Sequence, residues 1–174
     1  MIREGKKLPK GVLKRIPVLV RALENDPDVV ALFAFGSLAC NALKPLSDLD
    51  FGILLDDRLD RGQRIDKHIE LIGLFNDGLG TDEIDLVNMN DASGRVAFQI
   101  LKTGKLLACK NNPALIDFRE RVVKKHLDFK CKRDAYDAVF LKGVGYHGLA
   151  NYRAAETPEQ ILSSFTGISK GSLQ

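Results

Sequence analysis

The chain has 174 residues, 45% of them hydrophobic, and a formal net charge of +3. That length buries one sizeable core and leaves little room for a second full domain. So small a charge argues against nucleic-acid binding over the whole surface, and no stretch approaches the roughly 20 apolar residues of a membrane span. Cys40, Cys109 and Cys131 lie far apart with no Cys-x-x-Cys spacing, so neither a zinc site nor a disulfide framework is indicated. The first residues lack the apolar region of a signal peptide, and the expected location is cytoplasmic.

In chain order, residues 9–23 read as a first helix that Pro17 kinks or divides. The apolar run 29–35 suits a buried strand, and it ends at Gly36-Ser37, where a helix is expected to begin. Unpaired amides at such a start favour anions. Gly36 would let a phosphate approach the backbone and Ser37 would add a hydroxyl donor. Helix capping by Ser37 is the competing reading. After Pro45 comes Ser47-Asp48-Leu49-Asp50, leading into the apolar run 51–55. Asp48 and Asp50 are two residues apart on this second strand and so point to one face. Their charges repel unless a cation sits between them, and a hard divalent ion such as Mg2+ suits oxygen ligands of this kind. The same Asp-x-Asp also occurs in ordinary solvated turns.

Residues 60–79 form a helix in which Ile65, Ile69 and Ile72 recur at helical spacing, and these are expected to cover one face of the sheet. Gly78 and Gly80 mark its end. A third short strand at 83–89 carries Asp85, which would join Asp48 and Asp50 if the two strands are neighbours. Asp82 and Glu83 are the alternatives for that role. Residues 98–107 read as helix, glycine and short strand. Residues 113–131 form an amphipathic helix with Leu115, Phe118, Val122 and Val123 apolar, and the chain reads helical again from 133 to about 153. This divides the chain into a domain at 1–132 and a helical extension with a polar tail at 133–174. The basic clusters near the start and at 119–133 read as solvated helix faces.

Gly36-Ser37, nine residues, then Ser47-Asp48-Leu49-Asp50, with Asp85 downstream, resembles the nucleotidyltransferase superfamily of DNA polymerase beta type. Within it the chain is most similar to the minimal nucleotidyltransferase (MNT) group, over roughly residues 10–130. The resemblance implies an α/β (α+β) fold, a small mixed sheet flanked by helices like the polymerase beta palm, with the C-terminal helical extension added. It implies a two-metal Mg2+ site in which Asp48, Asp50 and Asp85 are both metal ligands and catalytic residues, and in which Gly36, Ser37 and Ser47 hold the nucleotide. ATP is the expected donor and AMP the group transferred to a hydroxyl. The acceptor implied is a tyrosine of a HEPN toxin, which would make the chain an antitoxin. Many members carry Arg-Gly where this chain has Cys40-Asn41, so a phosphate-binding cation is missing there, and Lys44 is the nearest substitute in sequence. The readings left beside this one are transfer to a small molecule of aminoglycoside type and a non-catalytic module that neutralises a partner by contact. Homo-oligomerisation stays open.

Overall fold

The structure is a computed structural model that describes residues 7–40, 42–44 and 46–143, without the side chains of 131–139 and 141–143. Asn41, Pro45 and the expected extension beyond residue 143 lie outside the described residues. After a short 3-10 turn, Val12–Lys14, the order is α1 (Ile16–Glu24), β1 (Val29–Ala34), α2 (Gly36–Ala39), β2 (Leu49–Leu55), α3 (Arg61–Leu79), β3 (Ile84–Asn88), α4 (Gly94–Thr103), β4 (Lys105–Cys109) and α5 (Asn112–Gly143). By contacts the chain divides into two compact units, Met1–Arg119 and Glu120–Gln174. The division falls inside α5, whereas the sequence reading placed a boundary after residue 132.

The four strands form one mixed sheet in the order β3-β2-β1-β4. β1 pairs antiparallel with β2 and β4, while β2 and β3 run parallel. Parallel neighbours need a crossover, and α3 supplies it. β1 is buried along its whole length, which is why it reads as an unbroken apolar run rather than an alternating one. On β2 the odd positions Leu49, Phe51, Ile53 and Leu55 join the core with Leu19 and Leu23 of α1 and Leu71, Phe75 and Leu79 of α3. The Phe51 and Phe75 rings meet edge to face at 5.1 Å between centroids, a favourable aromatic geometry. The even positions face the other way: a methyl group on Gly52 would press on Ile100 of α4 at 3.0 Å. Asp50 shares that second face.

Several local signals fix these elements. Pro17 sits in the first turn of α1, where its missing N–H costs nothing, so it starts the helix instead of kinking it. Asp60 and Gln63 form a capping box at the start of α3, each bond 2.9 Å, and Gly80 closes the helix with φ 69°. α5 runs continuously through the break that the sequence suggested near 131–133.

The expected inner face of α3 is corrected. Leu71, Phe75 and Leu79 are the buried residues, while Ile65, Ile69 and Ile72 are 49%, 64% and 38% exposed. Both sets have helical spacing, and the set containing Phe75 takes the core position, with Phe75 against Phe51. Among the described residues no helix is long and apolar enough to cross a membrane.

Candidate active site

The site is built where β1 turns into α2 and where β2 begins. Phe35 is extended, and Gly36 then adopts φ 59°, a left-handed conformation that side chains other than hydrogen resist. There is a second reason for glycine here. A methyl group on Gly36 would overlap the Asp50 carboxylate, whose Cγ would stand 3.0 Å away. The two sequence motifs therefore touch. The Phe35 amide donates to the Asp50 carbonyl oxygen at 3.0 Å, and the Ser37 amide donates to the Asp50 carboxylate. The amide that the sequence reading offered to a phosphate is thus given to Asp50, and the turn holds this carboxylate in place.

Asp50 and Asp85 are direct partners in the parallel pairing of β2 with β3, beside Leu49 with Ile84 and Phe51 with Leu86. Paired residues share a face, and Ile84, Leu49, Phe51 and Leu86 pack toward the core, so both carboxylates stand on the opposite side. The adjacency that the sequence left open is present. Asp48, exposed just ahead of β2, completes the group.

Partial burial, then the charge of Asp85, then that of Asp48 push the Asp50 carboxyl above its ordinary range, against a smaller opposing effect of the Ser37 amide. Like charges converge on Asp50. Hard oxygen donors with excess negative charge fit a divalent cation. Among the described residues no trio of Asp, Glu, His or Cys side chains stands close enough to enclose a metal ion by itself. A cation here would therefore take water or phosphate oxygens among its ligands, as Mg2+ usually does.

Ser47, expected to help hold the nucleotide, lies just ahead of Asp48. Its hydroxyl accepts from the Lys44 amide at 3.0 Å and its own amide donates to the Lys44 carbonyl at 3.0 Å, so it closes the turn that leads into Asp48. Cys40 is exposed at the end of α2.

Sequence reasoning missed the contact between Gly36 and Asp50. The signal was present as a glycine at the end of a buried strand, but a long-range close approach leaves no local pattern to find it by.

At the other end of β2 and β3 the polar groups are paired. Arg64 grips Asp91 through two bonds of 2.9 and 3.1 Å, and Asn88 donates to the same carboxylate at 2.9 Å. The Asn90 side chain accepts from the Leu55 amide and donates to its carbonyl, both at 2.9 Å. The Arg64 bond holds the Asp91 carboxyl below its usual range.

The sequence matches the profile of the family described as Polymerase beta, Nucleotidyltransferase over residues 18–113. No curated protein matches it. Among solved structures, the chain is similar to one in a toxin-antitoxin complex with AMP-PNP, at 26% identity and TM-score 0.55, covering 73% of this chain and 97% of that one. It is also similar to a chain in a mutant form of the toxin-antitoxin MntA-HpeT, at 26% identity and TM-score 0.55, covering 74% and 97%. A third similarity is to a chain in the complex of a tri-AMPylated Shewanella oneidensis HEPN toxin with an MNT antitoxin, at 25% identity and TM-score 0.51, covering 74% and 96%. The profile spans more than half of the chain, and its span includes the turn, both carboxylate strands and α4, so this protein belongs to the polymerase beta nucleotidyltransferase family.

Proposed function

We propose that the protein transfers AMP from ATP to a hydroxyl, that of a tyrosine on a HEPN-type partner, and thereby acts as an antitoxin. The observation that carries this reading is the convergence of like charges on Asp50 from Asp85 and Asp48 beside the Gly36-Ser37 turn. Similarity to chains in a complex with AMP-PNP and in one with a tri-AMPylated toxin supports the nucleotide and the acceptor class.

Asp48, Asp50 and Asp85 would hold Mg2+, which when bound offsets the charge on the triphosphate and on the departing pyrophosphate. The Ser37 hydroxyl would donate to a phosphate oxygen. Asp85 stands across from Asp50 on the exposed side of the pair, where its carboxylate can receive the proton of the attacking hydroxyl. The acceptor oxygen bonds to the alpha phosphorus as the bond from that phosphorus to the pyrophosphate oxygen breaks. Gly36 and the Ser37 amide do the positioning by keeping the Asp50 carboxylate at one place.

The test is incubation with each alpha-labelled nucleoside triphosphate and Mg2+ in a lysate of the source cells, beside an Asp48→Ala plus Asp50→Ala control. Label from ATP on a tyrosine of one protein, absent in the control, is the expected result. Label on a metabolite would move the reading to small-molecule modification, and absence of label from every nucleotide would leave a binding module.

A further inference from the structure

We infer that the outer flank of α3 is a docking surface for a helix of a partner protein, one whose apolar stripe is bordered by lysines and arginines. Ile65, Ile69 and Ile72 are spaced four and three residues apart and lie on one side of the helix. Their exposures of 49%, 64% and 38% are those of a grouped surface stripe, not of isolated surface residues. The core position of α3 is already filled by Leu71, Phe75 and Leu79, so no demand of the fold accounts for three isoleucines here. Gly73 beside them opens to empty space, which lets another backbone come close.

The charges name the occupant. One residue on from the isoleucine ridge, the carboxylates of Asp66 and Asp77 are exposed along the same flank, while Glu70 between them is paired with Lys67 at 3.0 Å. The helix's own cations at Arg64 and Lys67 are engaged within the chain, Arg64 with Asp91 at 2.9 Å and Lys67 with Asp26 at 2.8 Å and Glu70 at 3.0 Å. Arg61 lies one turn before Ile65, at the N-terminal end of the stripe. A partner stripe therefore meets apolar surface bordered by carboxylates, and basic flanking residues complement it. On the other side of the stripe His68 Nε2 bonds the Leu86 carbonyl at 2.6 Å, tying α3 to the strand that carries Asp85. A helix laid on the isoleucines would run beside that strand, which suits an acceptor protein that presents its hydroxyl to the carboxylates. This last step rests on the proposed transfer to a protein; the docking surface itself does not.

The experiment uses the full chain and two fluorescein-labelled synthetic helices with the same leucine stripe, one flanked by lysine and arginine and one by glutamate. Fluorescence anisotropy is expected to show the basic peptide binding at least about tenfold tighter, with Ile69→Glu and, separately, Asp66→Lys plus Asp77→Lys each weakening it about tenfold. Thermal melting checks that the variants fold. Metal-dependent ATP binding is expected to be unchanged in Ile69→Glu. Equal binding of both peptides, or basic-peptide binding indifferent to Ile69→Glu, overturns the inference. So does a dimer in sedimentation velocity that Ile69→Glu dissociates, because the occupant is then a second copy. Peptide binding without any label transfer would keep the docking surface and remove the transfer reading. Transfer to an acceptor protein that ignores Ile69→Glu would do the reverse.

Discussion

The two ends of β2 are both rich in polar residues and behave in opposite ways. At its start, Asp50 faces Asp85 and Asp48 and its carboxyl is pushed up. Past its far end, Asp91 faces Arg64 and Asn88 and its carboxyl is pulled down. At one end a carboxylate is matched by a guanidinium and an amide; at the other, like charges converge on a partly buried carboxylate. Paired polar groups support a fold, whereas converging like charges at a partly buried carboxylate are the kind of perturbation that marks functional sites. The comparison separates a carboxylate that stabilises this fold from carboxylates that the fold tolerates.

The widest consequence of that contrast concerns activity. Asp50→Asn is expected to lower nucleotidyl transfer on the order of 100-fold or more, measured as label incorporation, since it removes a charge from the proposed metal site. The same variant should melt at a higher temperature than the parent without divalent ions, because it removes like-charge repulsion. Added Mg2+ should raise the melting temperature of the parent and narrow that gap. A lower melting temperature for Asp50→Asn in the absence of metal would show that the two ends do not differ as argued.

Gly36→Ala comes next. The left-handed φ and the overlap with Asp50 should cost about 1–3 kcal/mol in urea unfolding and displace the carboxylate, so activity falls with stability. Arg64→Ala, at the satisfied end, is expected to cost about 1 kcal/mol, since the bridge is partly exposed, and to leave transfer unchanged.

The smallest effect is the dependence on pH, and its sign differs between the ends. Asp91 has a lowered carboxyl pKa, so its contribution is present above the unfolded value of 3.8 and is lost as pH falls through the depressed one. Asp50 has a raised pKa, so its contribution is favourable below 3.8 and is lost as pH rises through the raised value. Chemical unfolding from pH 3 to 7 should therefore show Asp91→Asn falling further below the parent as pH rises, while Asp50→Asn gains on it.

Much of this was legible in the residues. The apolar run at 51–55 marked β2, and Gly78 and Gly80 marked the end of α3 closely, whereas Asp48, read as a strand residue, lies just ahead of β2. The side of α3 that faces the core was not legible, because Ile65, Ile69 and Ile72 make as regular a stripe as Leu71, Phe75 and Leu79. What separates them is packing across the interface, where Phe75 meets Phe51 and Leu71 and Leu79 join the same core. Such outcomes depend on contacts distant in sequence, which local patterns do not encode.

The fastening of Asp50 to the turn before it bears on engineering. Its carbonyl takes the Phe35 amide and its carboxylate takes the Ser37 amide, so the chain leaves this point at Ser37 and returns to it at Asp50. The two ends of this excursion are thus fastened to each other. Closing a longer loop between fixed ends costs only about 0.6 kcal/mol per doubling of length. An insertion in this segment, ahead of Asp48, is therefore expected to keep Ser37 and Asp50 together while shifting Asp48, which separates the contributions of the two carboxylates.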